Sequence, residues 1–121
     1  MVDSKQIYEF ACAWLNKFND PSVYNLEIKS RQMEEECFVL GFEMDCGNTF
    51  EEKYKEAFWN YDALDSIIDK ESDVMLLGSA LFSKWMYYTH WSEGESMTSP
   101  SIRAWFVRIL ERIKFLSSEK G

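Results

Sequence analysis

Ser79, Ser83, Tyr87 and His90 are the residues of this 121-residue chain whose types and spacing come closest to chemistry. They lie in Leu77-Gly-Ser-Ala-Leu-Phe-Ser-Lys-Trp-Met-Tyr-Tyr-Thr-His-Trp91, which reads as a helix apolar on most of its circumference. At about 100° per residue the four fall within about 80° of one another. Hydroxyls, a phenol and an imidazole on one stripe are the materials of nucleophilic catalysis with a general base. Helical geometry removes the simplest form of it, because Ser83 and His90 lie two turns apart, with backbones separated by about 10.5 Å. Only neighbours in the ladder meet, Ser83 with Tyr87 and Tyr87 with His90. The stripe therefore reads as a hydrogen-bonded seam where the helix packs closely, Gly78 and Ala80 adding small positions beside it. Its alternative is a small-molecule or catalytic pocket centred on Tyr87 and His90 and walled by Trp91.

Metal chemistry finds too few ligands. His90 and Glu93 stand at helical spacing, but the chain holds no second histidine. Cys12, Cys37 and Cys46 form neither a C-x-x-C pair nor an even disulfide set. Asp62, Asp65 and Asp69 share one helical face and offer oxygen to a hard cation, though a solvated face explains them as well. The five glycines are isolated, so no phosphate-cradling loop is present, and no cofactor is expected.

The charge pattern points elsewhere. Net charge is -8 overall, but residues 34 to 73 hold thirteen carboxylates against Lys53, Lys55 and Lys70, while residues 101 to 121 hold five bases against Glu111 and Glu119. An acidic middle argues against direct binding of nucleic acid, whose phosphates are held by clustered Lys and Arg. It favours a basic protein surface as partner, with Glu34, Glu35, Glu36, Glu51, Glu52, Asp62, Asp65 and Asp69 as the interaction residues. The basic face of the last helix, Arg103, Arg108, Arg112 and Lys114, is expected to neutralise acidic residues of the same molecule or of a second copy.

These side chains need elements to hold them. A first helix carries Ile7, Phe10, Ala11, Trp14, Leu15 and Phe18 on one stripe and ends at Asn19-Asp-Pro-Ser22. Val23 to Lys29 alternates, with Tyr24, Leu26 and Ile28 on one face. A second alternating run follows the polar Ser30 to Glu36 and puts Phe38, Leu40, Phe42 and Met44 together, with Gly41 as a bulge. The two runs predict an antiparallel β-hairpin. Thr49-Phe-Glu-Glu52 opens helical spacing through Phe50, Tyr54, Ala57, Phe58 and Tyr61, and a third helix, or the same one after a kink near Asn60, carries Leu64, Ile67 and Ile68. Ser72-Asp73 caps the central helix, and Ser99-Pro100 opens the last one, whose stripe runs Ile102, Trp105, Phe106, Ile109, Leu110, Ile113, Leu116. The expected fold is α+β: an N-terminal helix, the hairpin, then three or four helices packed around the central apolar helix.

With 46% hydrophobic and 17% aromatic residues, residues 1–121 should fold as a single domain with a real core. A hairpin is marginal alone and leaves edges to cover, which, with so much apolar helix surface on a small body, suggests a homodimer. The N-terminus enters an amphipathic pattern with no basic region leading to an apolar one, and no run is long enough to span a bilayer, so a soluble, reduced, cytoplasmic protein is expected.

The run Leu77 to Trp91, followed by Trp105-Phe106 and Leu110-Glu-Arg112, resembles a group of small bacterial and phage-borne proteins with no assigned chemistry. The resemblance covers the C-terminal half and carries over no functional residue. It implies context: accessory proteins of mobile elements or phages often inhibit or modulate host defence. The expected function is a non-enzymatic protein-interaction module, in its sharper form an acidic, anti-CRISPR-like inhibitor of a nucleic-acid-binding defence protein. Balanced together, these readings weigh against an enzyme.

Overall fold

The computed structural model describes residues 4–19, 30–42, 52–56, 60–87 and 100–120. Five helices organise them: α1 (Ser4–Asn19), α2 (Ser30–Leu40), α3 (Tyr61–Ile67) continued by a 3-10 turn (Ile68–Lys70), α4 (Val74–Met86) and α5 (Pro100–Lys120).

Both terminal helices follow their apolar period. The buried side chains of α1 are Ile7, Phe10, Ala11, Trp14, Leu15 and Phe18, and α5 buries Trp105, Phe106, Ile109, Leu110, Ile113 and Leu116. The two helices pack most extensively on each other. Between them runs an aromatic seam to α4, with Phe18 stacked on Phe106 at 5.7 Å and Trp14 edge-on to Trp85 at 5.6 Å. Trp85 in turn meets Phe106 edge-on at 5.9 Å. Aromatic pairs in these orientations each add roughly 0.5–1.5 kcal/mol beyond their buried area.

The central helix α4 is buried without interruption from Leu76 to Phe82, and again at Lys84 and Trp85. An apolar circumference demands this. Its start is set by Asp73, whose carboxylate accepts from the N–H groups of Met75 (3.0 Å) and Leu76 (3.2 Å). Asn60 does the same for α3, accepting from the Asp62 N–H at 2.9 Å. Lys84, only 1% exposed, runs its stem through the core and sets its ammonium 4.8 Å from the centre of the Trp105 ring.

The predicted hairpin is not there. Among the described residues every regular element is helical and none is a strand, so the α+β expectation is replaced by a helical fold. The first alternating run, 23–29, lies outside the described residues. The second starts in the last turns of α2 and continues past its end through Phe42, while its Met44 lies outside the described residues. What decided it is the spacing Met33, Cys37, Leu40, which puts three fully or nearly fully buried side chains on one helical face. The alternation Phe38, Leu40, Phe42 coincides with that pattern without reporting a strand: Phe38 is 60% exposed, and Phe42 lies beyond the helix end. Arg31-Gln-Met-Glu-Glu-Glu36, read as a polar connection, consists of strong helix formers and builds the turns before the apolar ones. Gly41 is no bulge. At φ 81° it ends α2, its N–H bonding the Phe38 carbonyl at 3.1 Å, a left-handed position that glycine takes without steric cost. The strand-edge reason for a homodimer falls with the hairpin.

Beyond Gly41 the chain drives Phe42 into α4. The ring lies against the bare backbone of Gly78, and Ser79 Oγ donates to the Phe42 carbonyl at 2.9 Å. The small residues of the central helix thus admit an aromatic ring and anchor its backbone in one step.

Candidate functional site

Few of the sequence-predicted groups come together. Ser79 is spent on the Phe42 carbonyl. Ser83 is half-buried, and Tyr87 is exposed at the C-cap of α4. His90 and Trp91, with Glu93, lie outside the described residues, so the Tyr87 and His90 pocket gains no geometry here. On the acidic side Glu51 is also outside the described residues, while Glu52 and Asp62 are exposed.

Asp65 and Asp69 converge on one guanidinium: Arg108 donates from Nε to Asp65 at 3.0 Å and from a terminal nitrogen to Asp69 at 2.9 Å. The place a cation would take between these carboxylates is filled by the protein's own base. Because both carboxylates are well exposed, Arg108→Ala should lower the unfolding free energy by less than about 1 kcal/mol in urea denaturation. Arg103 donates to the Phe18 carbonyl, and Arg112 reaches the carbonyls of Glu71 (2.9 Å) and Asp69 (3.0 Å). Three bases of α5 are therefore committed within the molecule.

Glu34, Glu35 and Glu36 have a different setting. α1 lies along α5 but meets α2 only narrowly, and the two helices open into a cleft of about 530 Å³. Its α1 wall is Gln6, Glu9, Phe10 and Ala13; its α2 wall is Glu35, Glu36, Val39 and Leu40. Each set repeats at helical spacing, so each wall is one face of one helix. The floor is apolar, and Val39, 67% exposed, leaves branched hydrocarbon in water at the edge. Among the described residues, every charged side chain lining the cleft is a carboxylate. Glu36 is held in place, accepting from Trp14 Nε1 at 2.9 Å and from Gln32 Nε2 at 3.0 Å. Behind it the buried thiol of Cys37 feels the same field: burial first, then the Glu36 and Glu34 carboxylates, push its pKa far above the ordinary thiol range. That thiol is a packing group, with no thiolate to offer as nucleophile or ligand.

Two features escaped the sequence reading. Glu9 belongs to the cleft, which becomes visible only once α2 is known to be a helix facing α1. Glu71, in sequence only one of the thirteen carboxylates of the acidic middle, is 5% exposed and gathers three donors: Tyr54 Oη at 2.7 Å, Lys53 Nζ at 3.1 Å and the Asp73 N–H at 3.0 Å. Nothing in Lys-Glu-Ser-Asp marks its first carboxylate as buried.

Comparison with family models, with curated proteins and with solved structures finds no match. Among the described residues no group of three or more His, Cys, Asp or Glu side chains is placed to hold a metal ion. No described helix is long and apolar enough to cross a membrane.

Proposed function

We propose that this chain is a protein-interaction module, without catalytic activity of its own, that engages a basic protein surface through the carboxylates of α2 and the α1 face beside them. One observation carries the reading: the carboxylates of Glu9, Glu35 and Glu36 frame an apolar cleft with no base among the described residues that line it. Negative charge beside exposed hydrocarbon supplies both halves of protein recognition, long-range attraction and an area to bury. The same field opposes phosphate backbones, which makes nucleic acid the disfavoured ligand. In its sharper form the partner is a nucleic-acid-binding enzyme whose basic channel the acidic face occupies. That form rests on the resemblance of the 77–91 run to phage-borne proteins and on the charge alone.

The test uses the whole chain as bait, followed by titration with the purified protein it captures. Association should weaken steeply as salt rises. The combined change Glu9→Lys, Glu34→Lys and Glu35→Lys should weaken it by at least about tenfold. Glu36 is left alone, because it holds Trp14 and its loss would confuse folding with binding. An affinity that ignores both salt and charge reversal overturns the proposal.

A further inference from the structure

We infer that the cleft between α1 and α2 receives one amphipathic helix of a protein partner, its apolar stripe on Phe10, Ala13, Val39 and Leu40 and its Lys or Arg side chains turned toward Glu9 on one wall and Glu35 and Glu36 on the other. This deepens the interaction reading and rests on it. The shape comes first. Both walls are helix faces, and the stretches that form them, Gln6 to Ala13 and Glu35 to Leu40, rise by about 10.5 Å and 7.5 Å along their axes. A furrow of that length between two helices takes about two turns of a third, the arrangement in which side-chain ridges settle into grooves.

The other peptide modes fit less well. An added β-strand needs an unpaired sheet edge, whereas helical walls satisfy their backbone groups internally. A polyproline segment docks on rows of aromatic rings, and among its described residues this lining has one ring, Phe10, beside aliphatic groups. A helix presenting apolar residues at i, i+3, i+4 and i+7 matches the floor, and flanking bases match the walls.

Charge sets the rest of the occupant's chemistry. With carboxylates on both sides, a neutral apolar occupant would bury hydrocarbon while drawing acidic groups out of water, a costly exchange. Bases on both flanks answer that cost and orient the helix. The arginines of the chain's own basic helix are engaged elsewhere: Arg103, Arg108 and Arg112 bind the Phe18 carbonyl, Asp65 with Asp69, and the carbonyls beyond α3. A second copy brings the same engaged arginines, which favours a different protein.

A labelled synthetic peptide with leucine at i, i+3, i+4 and i+7 and lysine on both flanks is the probe, and a peptide of the same composition in scrambled order is its control. Fluorescence anisotropy on the full chain should show the amphipathic peptide binding at least about tenfold more tightly than the scramble. Ala13→Arg, an exposed helical position given a strong helix former, should abolish that preference while leaving the circular dichroism and thermal midpoint unchanged. Equal, salt-sensitive binding of both peptides that ignores Ala13→Arg overturns the cleft as the site and leaves the acidic-surface reading standing. Absence of binding by either peptide also overturns it, and the charge-reversal titration then decides the wider reading by itself. A concentration-dependent mass that Ala13→Arg reduces to the monomer assigns the cleft to a second copy, overturning the partner-helix assignment.

Discussion

Gly78→Ala should lower the free energy of unfolding by about 2 kcal/mol, although alanine is the better helix former. The added Cβ would lie 2.2 to 2.4 Å from three carbons of the Phe42 ring, well inside contact distance. The ring has little room to retreat. It is fully buried and edge-on to Phe10 at 5.7 Å, and its backbone is tied through its carbonyl to Ser79 Oγ at 2.9 Å. Overpacking of this kind costs about 1–3 kcal/mol, and displacing Phe42 loses about 1 kcal/mol more from the buried hydrogen bond. Against these stands up to about 1 kcal/mol gained by replacing glycine inside a helix. The clash therefore wins. A double-mutant cycle isolates it: Phe42→Ala alone should cost about 3–5 kcal/mol, and in that background Gly78→Ala should become neutral or stabilising. If urea unfolding gives additive effects in the cycle, the Gly78 and Phe42 contact is not what governs this position.

The same contact shows where the chain was readable and where it was not. In Leu77-Gly-Ser-Ala80 the need for a close neighbour is legible, because small residues in an otherwise apolar helix have no other use there. The identity of that neighbour is not legible. Phe42 alternates with Phe38 and Leu40, and that two-residue period, which a short apolar run produces by chance, predicts a strand. The helical alternative, Met33, Cys37 and Leu40, was equally present, and the helix-forming Glu34-Glu-Glu36 should have tipped the balance. Long, repetitive stripes escape this ambiguity, which is why the buried residues of α1 are the same six that its spacing marks. Charge was legible only as a total. Asp65 and Asp69 stand in sequence much as Glu35 and Glu36 do, yet the first pair is held by Arg108, more than thirty residues away, and the second lines a cleft. Such differences arise from tertiary contacts, which local patterns do not encode.

Glu71 is the extreme of that class, and its removal should produce the second large effect. Burial alone would raise the pKa of its carboxyl. Hydrogen bonds from Tyr54 and from the Asp73 N–H, with the hydrogen bond and charge of Lys53, outweigh burial and hold the pKa below the ordinary glutamate value. One carboxylate oxygen accepts from both Tyr54 and Lys53, and the other from the Asp73 N–H. Glutamine in its place must turn an NH2 toward one of these donors, whichever way the amide is set. Glu71→Gln should therefore cost about 2 kcal/mol at neutral pH. The loss would fall at the entry to α4, where Asp73 caps the helix and Arg112 of α5 holds the Glu71 carbonyl at 2.9 Å. The sign of the pH dependence follows from the depressed pKa. A carboxyl that holds its proton more weakly in the folded state stabilises the fold fully above its unfolded pKa, and loses that contribution as pH falls through its folded one. Urea unfolding of wild type and Glu71→Gln, from about pH 7 down to about pH 3, should accordingly show two curves that converge on acidification. A gap that persists unchanged to the acid end would mean that the glutamine fails by shape, and that the charge of Glu71 contributes nothing to the joint between residues 52–56, α4 and α5.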